Sequence, residues 1–206
     1  MKIDLLAIPV LMISRVHKTP RLMVPSGQFV LNGMSEEGAI VDHTPLDVTI
    51  IKSIAIDPQK GQGCATGHIL ASGVAQLSAG PVLVLEEDVR TTPHLQRYLD
   101  IPEDADAVHL NTSCHPKGGL VWTPVSDELV RHRNMLSNHA ILHVTKRYTE
   151  SLIEACSYAI LNVVNSDVMR VIIQIERRLN IYGVRKPWFV KEGKMEHDTS
   201  HEFIDP

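Results

Sequence analysis

The chain has 206 residues, 44% hydrophobic and 21% charged, which fits one sizeable folded α/β domain, or at most two small ones, and excludes a low-complexity chain. Aromatic residues are only 4%, so the core must rest on Val, Ile, Leu and Ala. The formal charge of −4 gives no net attraction to nucleic acid, although a local basic patch remains compatible with it, and eleven histidines make the balance sensitive to pH.

Cys64, Cys114 and Cys156 lie far apart without a CxxC spacing. That spacing suggests neither a zinc site nor a disulfide framework, and reduced thiols in a cytoplasmic compartment are the expectation. The apolar run from Leu5 to Ile13 is interrupted by Pro9 and is too short to span a bilayer. It reads as the first core strand, over 3–13, ending at Ser14 and Arg15. Residues 20–47 are punctuated by Pro and Gly and read as short strands and turns. A second strand is expected over 48–56, then a glycine-rich loop, 61–67, opening a helix over 68–78. Such a loop lets a backbone approach a ligand, but most are only turns.

Pro81-Val82-Leu83-Val84-Leu85-Glu86-Glu87-Asp88 is the most informative stretch. Its unalternating apolar run predicts a strand buried on both faces, and it stops at three consecutive acids. Carboxylates packed so closely at a buried strand end repel one another unless a cation neutralises them. Alternation along a strand puts Glu86 and Asp88 on one side and Glu87 on the other, so the outer pair can converge on one ion. Oxygen ligands favour Mg2+ or Mn2+. A solvated acidic turn is the competing reading.

Beyond Asp88, Thr92 and Pro93 read as the cap and first position of a helix reaching Leu99. A buried strand follows over 105–110, with Asn111 at its carboxyl end, where open α/β sheets bind ligands. A short strand is expected over 120–125. Residues 126–138 are polar and include Arg131, His132 and Arg133; the competing readings are a solvated loop and a basic binding patch. An apolar run over 140–144 leads into a helix over 145–159. Asn165-Ser166-Asp167 reads as a cap ahead of a helix over 168–179, and the helix dipole alone accounts for Asp167. The segment 182–190 carries Lys186-Pro187-Trp188-Phe189, and 191–206 is a polar tail expected to be mobile. Among motifs, the GxxxxGK[ST] loop, a GxGxxG fingerprint after a strand, HExxH and GxSxG are all missing, which argues against a P-loop nucleotidase, a typical dehydrogenase, a zincin and an α/β hydrolase.

Gly63-Cys64-Ala65-Thr66-Gly67-His68 followed by Leu85-Glu86-Glu87-Asp88 resembles the central motif of family 25 glycosyltransferases, the lipopolysaccharide- and collagen-type sugar transferases. There a Gly-Cys-x-x-Ser-His helix leads into a strand ending Leu-Glu-Asp-Asp. Gly67 stands where the family has Ser, and Glu87 where it has the middle Asp. The close match covers about residues 61–100. The resemblance implies a single-domain, GT-A-like (Rossmann-like) fold over 1–190, with a mostly parallel sheet flanked by helices and 191–206 as a donor lid.

It further implies a nucleoside-diphosphate sugar donor, UDP-sugar foremost, bridged by Mn2+ or Mg2+ to Glu86 and Asp88. His197 from the tail would complete the metal shell. Arg15, and with it Arg21, would meet the diphosphate; Gly63 and His68 would line the nucleotide, and Asn111 would touch sugar hydroxyls. Asp88 and Asp167 are the expected catalytic acids, Asp167 orienting the acceptor or serving as base. The acceptor stays open between a saccharide and a modified base in phage DNA. The DNA reading needs Arg131 and Arg133 as a basic groove, with Trp188 or Trp122 as a stacking platform. Two other classes compete: a non-catalytic nucleotide- or sugar-binding protein of the same fold, and a metal-dependent phosphodiesterase or nuclease.

Overall fold

The computed structural model describes residues 1–14, 23–25, 43–45, 48–52, 62–111, 121–136 and 138–191. The strands, in chain order, are β1 (Lys2–Asp4), β2 (Val10–Ser14), β3 (Met23–Pro25), β4 (His43–Pro45), β5 (Val48–Lys52), β6 (Val82–Glu86) and β7 (Val89–Thr91). They continue as β8 (Tyr98–Asp100), β9 (Ala107–His109), β10 (Trp122–Pro124), β11 (Leu129–His132), β12 (Ala140–His143), β13 (Ile181–Val184) and β14 (Phe189–Lys191). The helices are α1 (Gln62–Gln76), α2 (Lys146–Asn162) and α3 (Ser166–Glu176). None among the described residues is long and apolar enough to cross a membrane.

One eight-stranded sheet, in the order β10-β11-β13-β9-β12-β6-β2-β5, carries the architecture. It is mixed rather than mostly parallel. β2 pairs in parallel with β5 and β6, and β13 with β9, while β12 runs antiparallel between β6 and β9, and β11 is antiparallel to both β10 and β13. The mostly parallel sheet was what the family resemblance implied, and the apolar run at β12 could not correct it, because such a run encodes burial but not direction.

Alternation along the central strands sorts their side chains into two layers. Val82 and Val84 of β6, Leu11 and Ile13 of β2, and Ile141 of β12 face the helices. Leu83, Leu85, Met12, Ala140 and Leu142 face the other way, into the larger core with Leu5, Leu95, Leu99, Trp188 and Phe189. The ribbons β1–β8 and β7–β14 belong to that second layer. Complete burial of a leucine or valine contributes about 1.5–3 kcal/mol, so β6 and β12 form a strong central anchor for whatever their ends carry.

Four expectations need correction. The first strand is divided, because the chain turns at 5–7 and Leu5 enters the core between β1 and β2. No helix follows Thr92: its hydroxyl does accept from the His94 amide at 3.1 Å, but Tyr98–Asp100 then extends to pair with β1. Helix α1 begins at Gln62, its glycines Gly63 and Gly67 being buried within the helix rather than in a loop. The polar segment holds β11, whose His132 is buried while Arg131 is exposed.

Helix α3 buries a mixed face. Arg170, Ile173 and Gln174 face inward, and Val168, Ile172 and Ile175 are exposed.

At the end of α2, Val163 takes the left-handed conformation, φ 53°, with its amide reaching the Ala159 carbonyl. A β-branched residue is strained there, and glycine is the usual occupant. Val163 is exposed, so little packing opposes replacement. Val163→Gly is therefore expected to stabilise the fold by about 1 kcal/mol, read as a rise in thermal midpoint. A lower midpoint would show that the side chain contributes more than the backbone strain costs.

Candidate active site

Strands β2, β5, β6 and β9 all end at the same sheet edge, and β12 begins there. Glu86 closes β6 on the helix-facing side, in line with Val82 and Val84. Its backbone is fixed by an amide hydrogen bond to the His139 carbonyl, 2.9 Å, one residue before β12.

Three side chains converge on this carboxylate. His68 Nε2 lies 3.0 Å and Cys64 Sγ 3.2 Å from Oε1, while His139 Nδ1 lies 2.8 Å from Oε2. Cys64 and His68 stand four residues apart on α1, hence on one face of the helix, and that face is turned toward the strand end. Burial would raise the Glu86 carboxyl, yet the hydrogen bonds from His139 and His68 outweigh it and hold the group well below the usual carboxylate range. Burial likewise pulls His139 down, but its bond to Glu86 wins and the imidazole sits above its ordinary value. Desolvation and the adjoining Glu86 charge push the Cys64 thiol up, although the residue as a whole is exposed.

The acidic triplet divides at the turn that follows β6, which holds Glu87 and Asp88. Glu87 points to the opposite layer, where Ser14 Oγ donates to its Oε2 at 2.7 Å. Asp88 returns to the side of Glu86, with Oδ2 3.4 Å from Lys191 Nζ and Oδ1 buried with no hydrogen-bond partner. One ligand atom each from Glu86, Asp88 and His139 lie within 4.8 Å of one another. Two carboxylates and one imidazole suit a hard divalent ion such as Mn2+ or Mg2+, and the orphaned Asp88 oxygen is the atom such an ion would satisfy. Cys64, His68 and Glu86 make a second convergent set within the same distance.

Asp167, in the first turn of α3, reaches the same edge. The Asn138 amide donates to its Oδ1, and Asn165 caps the helix by accepting from the Asp167 and Val168 amides at 2.8 and 3.2 Å. Burial raises the Asp167 carboxyl, with the Glu86 charge adding to the rise and Arg170, His68 and His139 opposing it. Two nearby carboxyls are thus driven apart, Glu86 down and Asp167 up, the arrangement by which proteins assign different acid–base roles to like groups.

Beneath this edge lies one buried cation, Arg170, against two buried histidines. Arg170 is 1% exposed, with Nη2 donating to the Met135 carbonyl at 2.6 Å and Nη1 3.3 Å from Gln174 Oε1 and 3.4 Å from His109 Nε2. Burial and the Arg170 charge keep His109 well below its ordinary value and push His132 down to about 3, so both rings are neutral.

Gly63 is buried in the first turn of α1, one residue before Cys64. Asn111 is buried just beyond β9, level with the start of β12, and so stands at the same edge. Arg131 and Arg133 do not. β11 lies four strand positions from β6, roughly 19 Å at the usual spacing, and Arg131 binds Asn180 there. Trp188 is 4% exposed and packs in the core, so it offers no open ring face to a base. Arg15, Arg21, His197 and the tail from 192 lie outside the described residues.

His139 was not singled out by its sequence context. Its one signal is an Asn-His pair directly before an apolar run. No protein-family model matches this sequence, and a search of curated proteins finds no match.

Proposed function

We propose that this chain is a metal-dependent glycosyltransferase with a GT-A-like fold, moving a sugar from a nucleoside-diphosphate sugar to a hydroxyl acceptor. The observation that carries the reading is the convergence of Glu86, Asp88 and His139 at the carboxyl edge of the central strands, beside a half-buried Asp167 of raised pKa. Mn2+ or Mg2+ held by the three would stabilise the negative charge that grows on a departing diphosphate.

The protein's own groups do the rest. His68 fixes the Glu86 carboxylate from the side opposite His139, so that one rotamer is held before any ligand arrives. Asp167, kept near the site by the Asn138 amide, is placed to take the acceptor hydroxyl's proton, and its raised pKa makes it a better base than an exposed aspartate. Lys191 covers Asp88 Oδ2, which leaves Oδ1 as the oxygen that would meet a metal. Asn111 stands where a sugar hydroxyl would meet the sheet edge. Since Arg131 and Arg133 lie several strands away and Trp188 is buried, a saccharide hydroxyl is favoured over a DNA base as acceptor.

The test is Mn2+-dependent consumption of a panel of nucleotide sugars, with UDP-sugars first, followed by mass spectrometry. Asp88→Asn is expected to lower that consumption at least tenfold while leaving the thermal midpoint within a few degrees of the parent, because the residue lies in a turn outside the core. Binding of nucleotide sugar without any turnover would support a non-catalytic relative instead. Cleavage of phosphodiesters in its place would support a nuclease.

A further inference from the structure

The geometry points to a second cation site at Cys64, His68 and Glu86, selective for a thiophilic ion of the zinc class and sharing the Glu86 carboxylate with the Glu86–Asp88–His139 set. Cysteine spacing alone excluded zinc, because the expected signal is a pair of nearby cysteines. Here a single turn of α1 supplies sulfur and nitrogen, and the end of β6 supplies oxygen.

The distances suit the chemistry. Cys64 Sγ and His68 Nε2 lie 3.2 and 3.0 Å from Glu86 Oε1, and all three ligand atoms lie within 4.8 Å of one another. Tetrahedral zinc, with bonds of about 2.0–2.3 Å, needs ligand separations of about 3.3–3.6 Å. The two separations to Glu86 Oε1 therefore need to open by only a few tenths of an ångström to admit the ion.

Access and support are present as well. Cys64 is the more accessible member of the pair, whereas His68 is fully buried and held in orientation by Glu86. Its other ring nitrogen, Nδ1, is buried without a hydrogen-bond partner, as is Ser72 Oγ one helical turn further on. Zinc at Nε2 would place the imidazole proton on Nδ1, where the Ser72 hydroxyl is a candidate acceptor. The donor set separates this ion from the other: sulfur and imidazole favour zinc, whereas Asp88 and Glu86 favour manganese or magnesium.

Sharing Glu86 makes the two ions antagonists. Oε1 serves one set and Oε2 the other, so two dications held by one carboxylate repel across a few ångströms. Zinc is then an inhibitor of any process that needs the harder ion, through competition rather than denaturation.

Cobalt(II) is the probe, because a thiolate ligand gives it a near-ultraviolet charge-transfer band that oxygen and nitrogen ligands do not. Chelator-treated protein is titrated with cobalt alone, with no nucleotide sugar present, so the outcome is independent of the proposed sugar transfer. The parent and Asp88→Asn are expected to develop the band with one equivalent of cobalt, and Cys64→Ser to lack it. A paramagnetic-resonance titration of Mn2+ should show at least tenfold weaker manganese binding once one equivalent of zinc is present, an effect lost in Cys64→Ser. A parent saturated with cobalt that shows no band, or a band that persists in Cys64→Ser, overturns the site. Manganese binding unaffected by zinc overturns the antagonism.

Discussion

Glu86→Gln is expected to reduce Mn2+-dependent turnover by on the order of 10³-fold, the largest single loss at the site, because both oxygens of this carboxylate are in use. Gln keeps the shape but brings an NH2 group to a position faced by the donors of His68 and His139. The change should also remove a pH-dependent part of the stability. Glu86 is held below its unfolded value of 4.5, so its contribution is present above about pH 4.5 and is lost as pH falls through the folded value. His139 is held above 6.5, so its contribution is complete below that pH and is lost as pH rises through the folded value. Both are therefore fully present between about pH 4.5 and 6.5.

In chelated buffer, the difference in thermal midpoint between parent and Glu86→Gln should be widest in that interval and shrink on either side. A difference that stays constant from pH 4 to pH 9 would mean that the pair is not ionised in the fold. His139→Gln should reproduce the alkaline limb of the same curve while leaving Glu86 bonded to His68.

Particular residues show what could be read from the chain. Strand alternation put Glu86 and Asp88 on one side and Glu87 on the other; the three do sit that way, although β6 ends at Glu86 and the turn at 87–88, not the strand, orients the last two. The pairing of Cys64 with His68 rests on helical spacing too, but the glycines at 61–67 made that stretch read as a loop, so the pair became visible only once α1 was seen to begin at Gln62. His139 was hidden because its role depends on β12 lying antiparallel beside β6, a contact across 53 residues that no local pattern encodes. The same applies to the mixed sheet, since apolar runs specify burial but not strand direction. β11 was missed for another reason: Arg131 and Arg133 made the segment look solvated, although His132 between them is buried.

Helix α3 misled in the opposite way. Its apolar residues Val168, Ile172 and Ile175 recur at helical spacing, as in a core-facing stripe, yet they are exposed while Arg170 and Gln174 are buried. Periodicity identifies a helix but cannot tell which face is inward once a buried charge competes for that place.

Arg170 also sets the second large effect. It lies on α3 three residues beyond Asp167, beneath the site, and its head group is bonded to the Met135 carbonyl, Gln174 and His109. Arg170→Ala would leave a large cavity and an orphaned carbonyl, and is expected to cost about 3–5 kcal/mol by chemical denaturation. Arg170→Met fills most of the volume without the charge, so it should cost clearly less, since the buried guanidinium itself carries a desolvation penalty.

The methionine variant also separates packing from electrostatics. Arg170 opposes the rise in the Asp167 pKa, so removing its charge should raise that carboxyl further. If Asp167 must be ionised to accept the hydroxyl proton, the acid limb of kcat/KM against pH moves to higher pH in Arg170→Met, with little change on the plateau. A purely structural role for Arg170 would lower stability and leave that limb where it is in the parent. A limb that moves to lower pH would exclude Asp167 as the base.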